Sequence, residues 1–169
     1  LEKNGLPGRV RYYGCPAEEA AAGKTFMVKG GAFAGVDSAI TWHPFASTLW
    51  KQNLFLAYTQ VYFHYKGVAA HAGASPHMGR SALDAVELLN VGTNFLREHM
   101  PDTARIHYAI TDAGGLSPNV VQPQASAYYI VRATDGQQMR ALYERVLKVA
   151  QGAALMTETE LTVEFDGAC

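Results

Sequence analysis

From Phe55 onward, Ala57, Thr59, Val61, Phe63 and Tyr65 alternate with Leu56, Tyr58, Gln60, Tyr62 and His64 until Lys66-Gly67 closes the run. A period of two held that long predicts a long strand with two unlike faces. The remainder of the chain must supply the layer that covers its apolar side.

The segments that follow answer that demand. After the small-residue loop Val68-Ala-Ala-His71-Ala-Gly-Ala-Ser-Pro-His77, the stretch Ser81-Ala-Leu-Asp84 resembles a capping box. It opens a helix to about His99, with Ala82, Val86, Leu89, Thr93 and Leu96 on one stripe and Pro101 as the stop. Ile106–Thr111 reads as a strand, Asp112-Ala-Gly-Gly115 as a turn, and Val120–Arg132 as another strand. A second amphipathic helix carries Met139, Leu142, Val146, Val149 and Ala153, and Glu160–Phe165 is the last strand. Residues 53–168 thus have the order β-α-β-β-α-β of ferredoxin-like domains, with both helices expected on one face of a four-stranded antiparallel sheet.

Residues 1–45 have a different rhythm, α/β in class. Val10–Gly14 predicts a strand, Glu18–Lys29 an Ala-rich helix ended by Gly30-Gly31, and Ala39–His43 a second short strand. Such a βαβ-like piece suggests a parallel sheet, where ligands gather beyond the carboxyl ends of strands. Glu18-Glu19 and His43 both fall at such ends. Adjacent carboxylates can divide labour, one holding a metal and the other moving a proton, and histidine is the commonest metal ligand. The plain alternative is a pair of solvated first-turn acids favoured by the helix dipole. A piece of about 45 residues cannot bury a sufficient core alone.

Composition narrows the partners. With 49% hydrophobic and 17% charged residues the 169-residue chain is that of a soluble globular protein. A formal net charge of −1 gives no electrostatic reason to expect nucleic acid or a membrane surface. Apolar stretches are interrupted well before the roughly 18 residues that span a bilayer. Two cysteines, Cys15 and Cys169, make no disulfide framework; Cys15 is expected to be a small buried thiol, and a cytoplasmic location fits. The chain opens on Leu1 with neither Met nor an apolar leader, as expected of an internal excerpt.

Four motifs, in order, resemble one family. Gly14-Cys-Pro-Ala-Glu-Glu19 is followed by Gly31-Ala-Phe-Ala-Gly-Val-Asp37 leading to Trp42-His43-Pro44. Lys66-Gly-Val-Ala-Ala-His71-Ala-Gly-Ala-Ser-Pro-His and Gly114-Gly-Leu-Ser-Pro-Asn119-Val-Val leading to Ile130-Val-Arg132 complete the series. Together they resemble the M20 metallopeptidases and amidohydrolases. That resemblance implies a zinc-peptidase-like α/β domain carrying two divalent metal ions, zinc or manganese, and an inserted ferredoxin-like lid that mediates dimerisation. Residues 1–45 match part of the metal domain, and about 53–168 match the lid. An upstream metal motif and a downstream histidine ligand are missing, so the excerpt alone is expected to be inactive.

The resemblance also assigns roles. Glu18 is the general base, Glu19 and His43 are metal ligands, and His71 is a lid residue that reaches the substrate carbonyl, often across the dimer. Asn119 and Arg132 hold the substrate's free carboxylate. The implied substrate is a small-molecule aryl amide of glutamate, p-aminobenzoyl-glutamate first, with another N-acyl amino acid or small peptide as fallback. The implied partner is an identical chain or a second, related subunit.

The residues themselves add support and rivals. Arg132 is expected to share its strand face with Gln122, Gln124, Ser126 and Tyr128, a polar face ending in a fork donor suited to a carboxylate. Taken without the family, His71 reads more readily as an exposed loop histidine among alanines than as a substrate contact. His64, His77, His99 and His107 receive no role. Two other classes stay open: a non-catalytic dimerisation module, and an RNA-binding sheet. Near-neutral charge and the missing RNP pattern weigh against the second.

Overall fold

The computed structural model describes residues 2–18, 22–44, 46–48 and 55–168. Contacts divide the chain into two units, Leu1–Trp50 and Lys51–Cys169.

In the first unit, α1 spans Gly23–Lys29. It starts later than the sequence predicts, because Ala22 takes the left-handed backbone (φ 47, ψ 49) and separates α1 from the helical Glu18. Gly30-Gly31 stops the helix as expected: Gly31, at φ 77, donates to Val28, and Ala32 closes back on Met27. The two predicted strands are corrected. Residues 10–14 and 39–43 have no regular secondary structure, and Val10 and Trp42 are 78% and 84% exposed. A strand needs a paired neighbour and a covered face, and the described residues of this unit offer neither. The Tyr13 hydroxyl instead donates to the Ala32 carbonyl at 2.9 Å, with its ring 4.5 Å from that of Phe33.

The second unit contains β1 (Ala57–Lys66), β2 (Ala70–His71), α2 (Ala82–Leu96), β3 (Arg105–Asp112), β4 (Val120–Val121), β5 (Gln124–Ala133), α3 (Gly136–Thr157) and β6 (Glu160–Ala168). Four strands form an antiparallel sheet in the order β3-β5-β1-β6, and β2 pairs with β4 in a separate ribbon. Ser81 caps α2 by accepting from the Asp84 N–H, and Asp135 caps α3 by accepting from Gln138. A 3-10 turn at Arg97–His99 leads to Pro101. The strand predicted over Val120–Arg132 is two strands. Pro123 has no N–H to donate, and the Gln122 carbonyl is taken by the Ala82 N–H.

The core follows the alternation read from β1. Val61, Phe63 and Tyr65, with Ala125, Ala127, Tyr129 and Val131 of β5, pack under Ala85, Val86 and Leu89 of α2 and Leu142, Val146 and Ala150 of α3. Each large apolar side chain buried there contributes about 1.5–3 kcal/mol. The Tyr129 hydroxyl donates to Asn90 Oδ1 at 2.6 Å and that of Tyr65 to the Ala150 carbonyl at 3.0 Å, so the buried phenols are satisfied. No described helix is long and apolar enough to cross a membrane.

The opposite sheet face is left uncovered by these helices. Register sets Arg105 opposite Arg132 opposite Tyr58, then His107 opposite Ile130 opposite Gln60, then Ala109, Tyr128, Tyr62 and Glu164 in one row.

Candidate active site

In the first unit, Glu18 and His43 are exposed, and Glu19 lies outside the described residues. His43 Nδ1 lies 2.8 Å from the Pro44 carbonyl oxygen. A carbonyl only accepts, so Nδ1 carries the hydrogen and the Nε2 lone pair is free for a cation. The donor chemistry of His43 thus fits a divalent metal. Among the described residues there is no group of three or more His, Cys, Asp or Glu able to hold one. The strand ends that made Glu18-Glu19 and His43 look convergent are not formed. Cys15 is half-buried, with its thiol 3.8 Å from the Tyr13 carbonyl.

In the second unit, His71 and Asn119 are brought together. The β2–β4 ribbon pairs His71 with Val120, and the Ala72 N–H donates to the Asn119 carbonyl at 2.9 Å. The ribbon is tied to the sheet end through the Gly67 N–H on the Pro123 carbonyl and the reciprocal Val68–Arg80 bonds, both 2.9 Å. Arg80 Nε is also 2.7 Å from Glu158 Oε2 beyond α3. His71 itself is exposed, with a fixed ring. Its Nδ1 accepts from the Gly73 and Ala74 N–H groups at 3.2 and 3.1 Å, so the neutral ring carries its hydrogen on Nε2. An exposed N–H donor on a pinned loop can meet an oxygen that gains negative charge. A groove of about 310 Å³ lies between the two loops, lined by Ala72, Gly79, Ser81, Pro118 and Val120.

Arg132 is elsewhere. It sits eight residues along β5 from Gln124, roughly 26 Å at ~3.3 Å per residue, whereas Asn119 and His71 lie at the Gln124 end. Arg132 is half-buried, with its guanidinium carbon 5.1 Å from the centre of the Tyr58 ring.

The open face also holds groups that the sequence left without a role. His64 Nδ1 is 2.7 Å from Ser126 Oγ and its Nε2 is 3.3 Å from Glu164 Oε2, a chain across β5, β1 and β6 beside a groove of about 450 Å³. The Tyr128 hydroxyl donates to Asp166 at 2.7 Å. Desolvation, followed by that bond, pushes this phenol up to about 12. His107 is held below the ordinary imidazole range, first by desolvation and then by Arg132, Arg97 and Arg105. Period-two alternation puts these residues on one face; cross-strand register, which alternation does not give, makes them neighbours.

A peptidase dimerisation domain of the M20 type matches residues 58–156. Over all 169 residues the chain is 55% identical to one of the subunits of p-aminobenzoyl-glutamate hydrolase from Escherichia coli K12, covering 35% of that protein. It is 32% identical over 164 residues to a mouse Xaa-Arg dipeptidase, with 95% of this chain and 37% of the other covered. The crystal structure of an aminobenzoyl-glutamate utilization protein from Klebsiella pneumoniae superposes with a TM-score of 0.59 at 29% identity, over 68% of this chain and 29% of that one. The chain therefore spans little more than a third of the curated relatives named. With the dimerisation-domain match extending from β1 through nearly all of α3, the chain belongs to the M20 peptidase family.

Proposed function

We propose that the complete protein is a metal-dependent amidohydrolase that cleaves the amide of p-aminobenzoyl-glutamate or a similar N-acyl amino acid. The observation that carries this reading in the structure is the His71 ring, whose Nδ1 is held by two backbone N–H groups so that Nε2–H faces outward. The likeness to a component of a p-aminobenzoyl-glutamate hydrolase supports the substrate class. Residues 53–168 act as a ferredoxin-like lid and dimerisation domain, a reading supported by the strand order β3-β5-β1-β6 under two helices. Residues 1–45 supply part of the catalytic domain.

Glu19 and His43 would hold divalent metal, zinc or manganese, which when bound supplies Lewis-acid polarisation of the amide carbonyl. Glu18 takes a proton from the attacking water and returns it to the amide nitrogen as the C–N bond breaks. His71 Nε2–H donates to the carbonyl oxygen as charge develops there. Arg132 takes the free carboxylate through its guanidinium fork, and Asn119 adds its side-chain amide. The roughly 26 Å of strand between Arg132 and the ribbon is too long for both to touch one small amide. A dimer resolves this: one chain lends His71 and Asn119, and its partner lends Arg132. The partner is an identical chain or a second related subunit, and the naming of the E. coli relative as one subunit among others supports the latter.

The test is glutamate release from p-aminobenzoyl-glutamate by the complete protein, with metal content measured on the same sample. Turnover that rises with bound divalent metal is expected. A fully metal-loaded, dimeric protein that cleaves no N-acyl amino acid would leave the dimerisation-module reading in its place.

A further inference from the structure

At the Ala133 end of the open sheet face two arginines stand opposite one another. Arg105 of β3 pairs with Arg132 of β5, with Tyr58 of β1 on the far side of Arg132. Like charges directly opposite on adjacent strands destabilise a sheet. Among the described residues neither guanidinium has a carboxylate partner, and the ion pairs present involve His64, Lys66 and Arg80 instead. Arg105 spends donors on the backbone carbonyls of Asp102 and Ala104, while the Arg132 fork makes no hydrogen bond among the described residues and is backed by the Tyr58 ring. His107, in the next row, is held below the ordinary imidazole range by desolvation and then by the field of Arg132, Arg97 and Arg105. A surface with paired forks and no counter-ion is complementary to an anion.

We infer that Arg105 and Arg132 form a two-fork clamp for a dicarboxylate amino acid, Arg132 taking one carboxylate and Arg105 the other. Cβ atoms of directly opposed residues are about 4.5–5.5 Å apart, so two splayed forks fit two carboxylates joined by a short carbon chain. Ile130, in the adjacent row, offers that chain an apolar contact. A glutamate moiety carries both carboxylates; glycine or a neutral amino acid carries one. This clamp rests on the proposed role of Arg132 and adds the residue that would set the preference for an acidic amino acid.

The experiment compares p-aminobenzoyl-glutamate with p-aminobenzoyl-glutamine, which lacks the second carboxylate, using the complete metal-loaded protein and Arg105→Gln. The glutamate-over-glutamine preference in kcat/KM is expected to fall roughly tenfold to a hundredfold, as for a lost charge-assisted hydrogen bond. KM should carry the change while kcat stays close to its original value. Calorimetric titration of the same two proteins with glutarate, butyrate and inorganic phosphate gives a readout free of turnover. Glutarate binding should weaken in the variant and butyrate binding should not. An unchanged preference overturns the clamp, as does phosphate binding as tightly as glutarate. If no amide is cleaved but glutarate still binds through Arg105, the hydrolase reading fails and the clamp stands. Arg105→Lys, which keeps the charge without the fork, carries the same contrast if the Gln variant does not fold.

Discussion

The backbone N–H of Ala72 donates to the carbonyl of Asn119 at 2.9 Å, fixing the loop that carries His71 against the one that carries Asn119. The ring of His71 is then oriented by its own loop, through the Gly73 and Ala74 N–H groups. In the complete protein, His71→Ala should lower kcat by about 10²–10³ without changing metal content. His71→Gln, which can present a side-chain N–H in the same direction, should recover part of that loss. Loss of metal in the alanine variant would show that His71 acts on the metal site instead.

Glu18 is exposed, and its proposed task is proton transfer. Glu18→Ala should cost about 10²–10⁴ in turnover while bound metal, measured by elemental analysis, stays at the parent level. Unaltered rate constants would remove the base assignment.

Two glycines test how the ribbon is anchored. A Cβ on Gly67 would collide with the Arg80 carbonyl oxygen, whereas one on Gly152, inside α3, meets nothing within 4 Å. Gly67→Ala should destabilise by about 1–3 kcal/mol, because the Val68–Arg80 bridge has to open. Gly152→Ala should stabilise by about 0.5–1 kcal/mol through helix propensity and a less flexible unfolded chain. Urea unfolding midpoints of the two variants measure both signs.

Much of the larger unit is legible in the chain itself. The alternation through Thr59, Val61, Phe63 and Tyr65 marks β1 and its buried face, and Ser81 with Asp84 marks the start of α2. Local rules reach that far because side-chain period and capping are local properties. The break at Pro123 is equally local, and Gln122-Pro123-Gln124 carries its signal, since a proline cannot donate within a paired strand. Register is different in kind: nothing in the sequence places Arg105 opposite Arg132 or His64 between Ser126 and Glu164, since that depends on how distant strands slide. The short apolar runs at Val10–Gly14 and Ala39–His43 mislead for a related reason. Their composition suits strands, but a strand exists only when another pairs with it, and the described part of that unit contains none.

The buried pair Tyr129–Asn90 lies at the centre of the core, 2.6 Å from hydroxyl to amide oxygen. Tyr129→Phe keeps the ring and removes the donor, leaving Asn90 Oδ1 without it. A loss of about 1–3 kcal/mol is expected, and Asn90→Leu in the same background should restore part of it by removing the orphaned acceptor. Equal stability of Tyr129→Phe and the parent, read from thermal unfolding, would mean that water replaces the phenol.

The same phenols set the alkaline limit of the fold. Tyr128 is pushed up to about 12 by desolvation and then by its bond to Asp166, and burial pushes Tyr65 and Tyr129 higher still. In the unfolded chain each ionises near pH 10. Below that pH both states keep the proton, so these groups leave stability flat. Above it the unfolded chain releases protons that the folded chain retains, and stability falls as pH rises through the window from about 10 to about 12. Urea midpoints should therefore hold steady up to about pH 10 and then decline. Tyr128→Phe deletes one ionising group and should make that decline shallower, whatever its loss of the Asp166 bond does to the level of the plateau. A variant whose decline matches the parent's would show that Tyr128 ionises at the same pH folded and unfolded, and that the Asp166 bond does not hold its proton.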